Sequence, residues 1–393
     1  MSSELLDSLI DRAEALADGP LWESAAIVDG PRSQPNQDCT PEATKVLRRN
    51  VVLAGKAGLM SSAAATRRYP RRTKRGELSS PASVHEALAS GCGATSFVWA
   101  QHASPMRRIA ASENTVLRDR WLRRLSTGEA LGGIAFSHLR RDAPWPVRAL
   151  RRKGGWLIQG KAPWVTSWGL ASVFVVGART DSGEVAWFAL DAQDAEDQCI
   201  PQPLALSVMG ATATVSLTLS WEADGDALVG MESIEQWQKE DLLATAIPSA
   251  GASGVTRRCI LRLAETAERL GGSQARIVKE ISESLADLHH DIGLVSHEIA
   301  MSSATGTEQI DQLRVLRSKG LLLAQDAAAA AVAAAGGAAM GSSHPAQRLA
   351  REATFYSIQA QTAQGRIATL GRLAEHIELL GKDVSLSPGP GPF

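Results

Sequence analysis

The chain has 393 residues, 44% hydrophobic and 21% charged, proportions that fit a globular protein of two or three domains and exclude wholesale disorder or a membrane-embedded chain. Its 41 Lys and Arg against 42 Asp and Glu leave a formal net charge of -1, so no global field draws nucleic acid or an anionic membrane. Any charged partner has to be recognised locally.

Charges at Glu4, Asp7, Asp11, Arg12 and Glu14 interrupt the apolar residues at the start of the chain, so a signal-peptide core is not written there and a cytoplasmic location is expected. Leu5, Leu6, Leu9, Ile10, Ala13 and Leu16 recur at three- and four-residue steps and predict a first helix, closed by Pro20. Further helical patterns run from Pro41 to about Ala65, from Ser83 to Ser112 with glycine breaks, and from Asn114 to Ser126, where Leu117, Trp121 and Leu125 share a face. Between them RRYPRRTKR, Arg67 to Arg75, is a dense basic run that reads first as an exposed loop. Cys39, Cys92, Cys199 and Cys259 are scattered without a C-x-x-C pair, which argues for reduced thiols and against a zinc knuckle.

At Gly128 the texture changes to short Trp-, Val-, Ile- and Phe-rich runs punctuated by Gly and Pro. Trp156–Ile158, Val173–Val176 and Val185–Leu190 predict strands, with Asp181-Ser182-Gly183 as a hairpin turn; Thr212 to Trp221 alternates as a half-buried strand should. From Ile234 the helical period returns and persists to about Asp383, broken near Gly271-Gly272, Ser302 to Gly306 and Gly336 to Pro345, which predicts about four long helices. The alanine-rich stretch Gly320 to Met340, interrupted by Gln325 and Asp326, reads as a buried helix rather than a membrane span. Ser385 to Phe393 alternates Pro and Gly and reads as a flexible tail.

The elements are segregated: a helical domain over 1–127, an antiparallel β-domain over 128–232, a helical bundle over 233–384 and the tail 385–393. That order argues for an α+β fold. No βαβ alternation, G-x-G-x-x-G or G-x-x-x-x-G-K-[ST] follows a strand, and there is no G-x-S-x-G, so a nicotinamide Rossmann domain, a P-loop and a serine-hydrolase elbow lack support. His289, His290, Asp291, His297 and Glu298 fall on one helix, but position 294 is Leu where an i, i+4 metal pair would need a ligand; a surface or interface cluster is expected, and no metal. The C-terminal helices carry more apolar faces than one subunit can bury, which predicts a homodimer or homotetramer.

The stretch Gly154 to Thr180, GGWLIQGKAPWVTSWGLASVFVVGART, resembles the middle β-domain of the acyl-CoA dehydrogenase superfamily, whose members read roughly G-aromatic-x-I-x-G-x-K-x-W-[IV]-[ST] before an apolar strand. Thr95, Trp99 and His102 match a helical T-x-x-x-W-x-x-H stretch; Trp121, Leu125 and Gly128 match W-x-x-x-L-x-x-G; and Gly336 to Phe355 is similar to the GG-x-G … R-x-x-R-D region. The resemblance covers nearly the whole chain. It implies a flavoprotein acting on a small molecule, an acyl-CoA thioester or another bulky apolar substrate, with the isoalloxazine ring between the β-domain and the C-terminal helices. By the same resemblance Trp164 and Thr166 border the flavin N5 side and Phe136 and Ser137 its pyrimidine side, while Gly336 and Gly337 allow close approach to a phosphate. The implied cofactor is FAD, with FMN or reduced flavin from a separate reductase as alternatives. The basic run at 67–75 could then meet coenzyme phosphates.

The sequence departs from the pattern where chemistry is done. Most members take the substrate α-proton with a glutamate. Laying Arg348, Arg351 and Glu352 on R-x-x-R-D puts Ala360 at that position, and Gln361 where a Gly follows. Members that carry the glutamate on the first long helix of the C-terminal domain would have it at Ala244, one turn from Glu240. The R-x-x-F-G … Q element for the FAD adenine and pyrophosphate is degraded too: no Phe follows Arg269, and Ala333 replaces the Gln. Relatives without the glutamate include flavin-dependent monooxygenases, which need a dry pocket and a hydrogen-bond donor rather than a base; His102, His138 and His344 are candidates, His344 and His138 being the expected catalytic residues. A non-catalytic sister subunit of a heteromeric dehydrogenase is a reading from a different class.

Overall fold

Side-chain caps set the helix starts in the first third of the chain. In the computed structural model, which describes residues 3–29, 40–63, 71–72, 78–79, 81–301 and 306–382, these are α1 (Ser3–Leu16), α2 (Trp22–Asp29), α3 (Pro41–Lys56), α4 (Met60–Ala63), α5 (Pro81–Gly91), α6 (Gly93–Ala111) and α7 (Thr115–Thr127), with a short strand pair β1 (Arg71–Arg72) and β2 (Leu78–Ser79). Thr40 caps α3, accepting from the Ala43 N–H at 3.2 Å, and Asn114 caps α7, accepting from Leu117 N–H at 3.2 Å; Gly128, left-handed at φ 77°, closes α7. Pro20 does not end the first helix as expected. It lies in a wide turn, Ala17–Leu21, kinked at Gly19 (φ -111°, ψ -111°), and α2 follows at once. A proline lacks a donor but its fixed φ suits the start of a helix, so here it redirects the chain rather than stopping it. The tail and most of the basic run at 67–75 lie outside the described residues.

The strands that follow are β3 (Gly132–Ala135), β4 (Val147–Arg152), β5 (Gly155–Val165), β6 (Val173–Thr180), β7 (Val185–Asp191), β8 (Cys199–Pro203), β9 (Val215–Asp224) and β10 (Leu228–Glu232), with α8 (Ala192–Gln198) before β8. They form one sheet in the order β10-β7-β6-β4-β5-β9-β8, and β3 pairs with β6. The sheet is mixed, not purely antiparallel: β3 and β4 both run parallel to β6. Direction alternates along β4, β5 and β6, so when β6 settles beside β4 instead of β5 the two neighbours must run the same way. β6 is buried along its whole length and β7 up to its last residue, whereas β9 alternates buried and exposed residues from Leu217 onward. The expected strand from Thr212 starts only at Val215, because Gly210–Thr212 is a 3-10 turn. Trp156, Phe188 and Trp221 pack edge-to-face in the sheet's own core, with centroids 5.5 and 6.2 Å apart.

Helices α9 (Ile234–Ala246), α10 (Ala250–Arg269), α11 (Gly272–Met301), α12 (Thr307–Ala335), α13 (Pro345–Ile358) and α14 (Ala363–Lys382) complete the chain. Two glycines let α10 sit tight. A Cβ at Gly251 would fall 2.1 Å from the Tyr356 ring of α13, and one at Gly254 would fall 2.4 Å from the Glu86 carbonyl of α5. Trp22 is held between the guanidinium groups of Arg258 and Arg348, each 4.6 Å from its ring, and Arg258 also binds the Ser90 carbonyl at 2.7 Å. The N-terminal and C-terminal helices therefore share one core. The stretch Thr307–Met340 is long and apolar enough to cross a membrane by length and composition, and 33% of its most apolar window is buried within the chain. The buried helix expected there is thus covered on one side, by Leu321, Ala324, Ala327, Ala328 and Ala331 facing inward.

Candidate active site

Three chain segments meet at one edge of the sheet: the end of β3, the end of β5 and the approach to β9. Ser137 Oγ donates to the Pro163 carbonyl at 3.0 Å, which ties the first two. Thr166, 2% exposed, shares a hydrogen bond of 3.1 Å with Thr214, and Thr214 shares another of 3.1 Å with Thr212. Three hydroxyl protons serve two links, so one O–H of this chain has a hydrogen to give elsewhere. Beside it Ser167 is fully buried and its hydroxyl has no partner among the described residues.

The same edge is strained. All five described non-glycine residues with positive φ are Trp164 (59°), Ser167 (71°), Met209 (54°), Ala213 (47°) and Ala360 (56°), and four of them belong to this meeting of segments. The surroundings hold them there: Ser167 N–H donates to Thr212 O at 2.8 Å, Trp168 N–H to Ala213 O at 3.2 Å, and Met209 N–H to the buried Asp29 carboxylate at 3.0 Å. A register shift between Ala162 and Val165 breaks the β5–β9 ladder at Trp164, a residue 59% exposed. Residues Trp164, Thr166 and Ser137, expected from the sequence to border a flavin, are brought to one place. An exposed aromatic face, a hydroxyl proton to spare and a buried unpaired hydroxyl fit a planar heterocycle with hydrogen-bonding ring atoms.

Phe136 connects this edge to a cavity of about 300 Å³ whose wall also includes Ala244, Thr245 and Ala360. The two alanines expected at the alternative glutamate positions, far apart in sequence, thus face one space. Glu240 and Asp241 line it as well. Asp241 is clamped by Arg140 through two bonds of 2.7 and 2.8 Å, and Glu240 accepts from the Gln236 amide at 2.9 Å. Arg140 lies 5.3 Å over the Phe136 ring. The wall is more polar than the apolar substrate pocket anticipated from the sequence, and no signal in the linear pattern marked Arg140, Asp241 or Arg317 as neighbours.

Neither expected catalytic histidine reaches this cavity. His138 is 1% exposed, its Nε2 hydrogen-bonds the Gly177 carbonyl at 2.7 Å, and burial, aided by the Arg141 charge, pushes its pKa down to about 4. His344 caps α13, its Nδ1 accepting from Ala346 N–H at 3.2 Å, and lines a second cavity of about 270 Å³ with Arg262 and Arg269. His102 is fully committed: Gly132 N–H donates to its Nδ1 at 3.0 Å, so Nε2 donates to Leu125 O at 3.1 Å, and burial lowers its pKa to about 4. Gly336 and Gly337 follow α12, and a Cβ at either would meet open space; Gly336 has a positive φ of 60°. Among the described residues no cluster of three His, Cys, Asp or Glu could hold a metal; His289 instead bonds Ser253 Oγ at 2.6 Å. Cys92, Cys199 and Cys259 are buried and unpaired.

No protein-family model and no curated protein sequence matches the chain. Solved structures do. Butyryl-CoA dehydrogenase from Megasphaera elsdenii is 15% identical, with 95% of this chain and 99% of that one aligned at a TM-score of 0.67. A glutaryl-CoA dehydrogenase from Mycobacterium smegmatis in complex with FADH2 is 14% identical over 95% of each chain at 0.69, and a nitroalkane oxidase crystallized with 1-nitrooctane is 15% identical over 94% of this chain and 95% of that one at 0.70. The α+β architecture is that of the acyl-CoA dehydrogenase fold; at these identities the likeness concerns the fold alone.

Proposed function

We propose that the chain is a flavin-dependent oxidoreductase acting on a small molecule held between Phe136, Ala244 and Ala360. The observation that carries this reading is the convergence of those three residues on one cavity, joined through Phe136–Ser137 to the strained edge that presents Trp164 and Thr166. A bound flavin supplies a two-electron acceptor. Trp164 would cover the ring, the unused proton of the Thr166–Thr214–Thr212 chain would serve a ring acceptor, and Ser137, already donating to Pro163, would offer lone pairs. Glu240, in the cavity wall, is the candidate carboxylate for a proton taken from substrate, Asp241 being held by Arg140 at both oxygens.

A second reading, a monooxygenase supplied with reduced flavin by a reductase, draws on the alanines at 244 and 360, since that chemistry needs exclusion of water rather than a base. The absorption spectrum of the purified chain, before and after incubation with FAD, FMN and their reduced forms, tests both. Bound oxidised flavin that bleaches anaerobically with an acyl-CoA supports the first; a colourless chain that takes up reduced flavin and yields a hydroxylated product with oxygen supports the second. Flavin uptake in neither redox state overturns both, and uptake solely with a co-expressed sister chain leaves a non-catalytic subunit. The exposed Ile277, Leu288 and Val295 of α11 and Ile367, Leu370 and Ile377 of α14 favour a homodimer or homotetramer, to be checked by light scattering.

A further inference from the structure

Arg317, on α12, lines the same cavity and is 5% exposed. Its terminal nitrogens donate to the carbonyls of Ile247 and Gln359, both at 2.9 Å, the residues that close α9 and α13. Its Nε is buried without a partner, and among the described residues it forms no ion pair. Two helix ends offer partial negative charge, not a full counter-charge, and two bonds engage a fork that carries five N–H donors. A buried cation left in this state is costly. Burial, with Arg140 adding to it, pushes the Arg317 pKa down to about 10, so at neutral pH the group is still charged. Asp241 cannot relieve it, because Arg140 occupies both of its oxygens.

We propose that the cavity takes a substrate bearing a carboxylate and that Arg317 binds that carboxylate. A planar guanidinium fork matches a carboxylate edge. Arg107, Arg108 and Arg140 share that wall with Glu240 and Asp241, so its charge balance favours an anion over a neutral group. The proposal rests on the preceding section for the cavity's use as a substrate site, but its test does not depend on flavin.

The full chain, flavin-free and separately after incubation with FAD, is titrated by calorimetry with butyrate, butyramide and inorganic phosphate at constant ionic strength. Butyrate is expected to bind on the order of tenfold or more tightly than the isosteric amide and no more weakly than phosphate, and Arg317→Gln to remove the preference over the amide while Arg317→Lys keeps part of it. Ala244→Trp, which adds an indole to the cavity wall, is expected to abolish butyrate binding. Equal affinity for butyrate and butyramide, tighter binding of phosphate, or a carboxylate preference that survives in folded Arg317→Gln overturns the proposal. If Arg317→Gln does not fold, the wild-type comparison and Ala244→Trp decide. Carboxylate selectivity without flavin uptake would sink the oxidoreductase reading and leave this one standing; flavin uptake without selectivity would do the reverse.

Discussion

Two arginines are buried in this protein under opposite conditions. Arg348, 2% exposed on α13, meets Glu352 at 2.8 Å, stacks on Trp22, and is joined through Glu352 to the Gly93 N–H at the start of α6. Burial, the largest single influence, lowers its pKa, but the Glu352 charge and hydrogen bond together with Cys92 and Asp29 outweigh it and hold the guanidinium above its ordinary value. Arg317, in the cavity wall, has carbonyls for partners and a lowered pKa. The first charge is matched within the chain and knits α2, α6 and α13 together. The second is matched only in part, at a surface that a ligand can reach. The contrast teaches that burial of an arginine does not by itself mark a site; the missing counter-charge does.

The widest gap between the two should appear in stability. Glu352→Ala strands Arg348 in the core and is expected to cost about 3–5 kcal/mol in urea unfolding, while the paired change Arg348→Met with Glu352→Leu recovers most of it. Arg317→Met removes an uncompensated charge together with its bonds and should cost about 1–2 kcal/mol. Equal losses from Arg348→Met and Arg317→Met would erase the distinction. Acid sharpens it from another side. His102 and His138, buried and neutral, have pKa values near 4 against 6.5 when unfolded, so the unfolded chain binds more protons between those values. Stability therefore falls as pH drops from 6.5 to 4, by about 3 kcal/mol for each histidine, and unfolding midpoints across that window, with His102→Gln flattening the slope, check the sign. The smallest expected effect is at the sheet edge. Trp164→Gly relieves a left-handed, exposed residue and should raise stability by up to about 1 kcal/mol while weakening flavin uptake on the order of tenfold. A loss of stability there would mean that the indole belongs to the core rather than to a ligand.

Much of the architecture was legible in the linear chain. Apolar runs at Val173–Val176 and Val185–Leu190 with Asp181-Ser182-Gly183 between them became the β6–β7 hairpin, and Asn114 and Gly128 bracket α7 as a cap and a stop should. Trp164, Thr166 and Ser137 could be singled out because a motif carried them. Arg140, Asp241 and Arg317 could not, since each sits in an ordinary helical or loop pattern whose meaning lies in what folds against it. Pro20 misled for a related reason: its ring fits both the end of one helix and the start of the next, and Trp22 packing between Arg258 and Arg348 selects the second.

Periodicity, turn residues and caps act over a few residues, so the chain alone determined the helix–sheet–helix order, most strand positions and the segment that presents an indole and a hydroxyl at the end of β5. Strand neighbours, the meeting of Ala244 with Ala360 and the charge balance around Arg317 depend on contacts between residues distant in sequence. Only the tertiary structure decided those, because a cavity and an unmatched charge are properties of the walls brought together and not of any one segment that builds them.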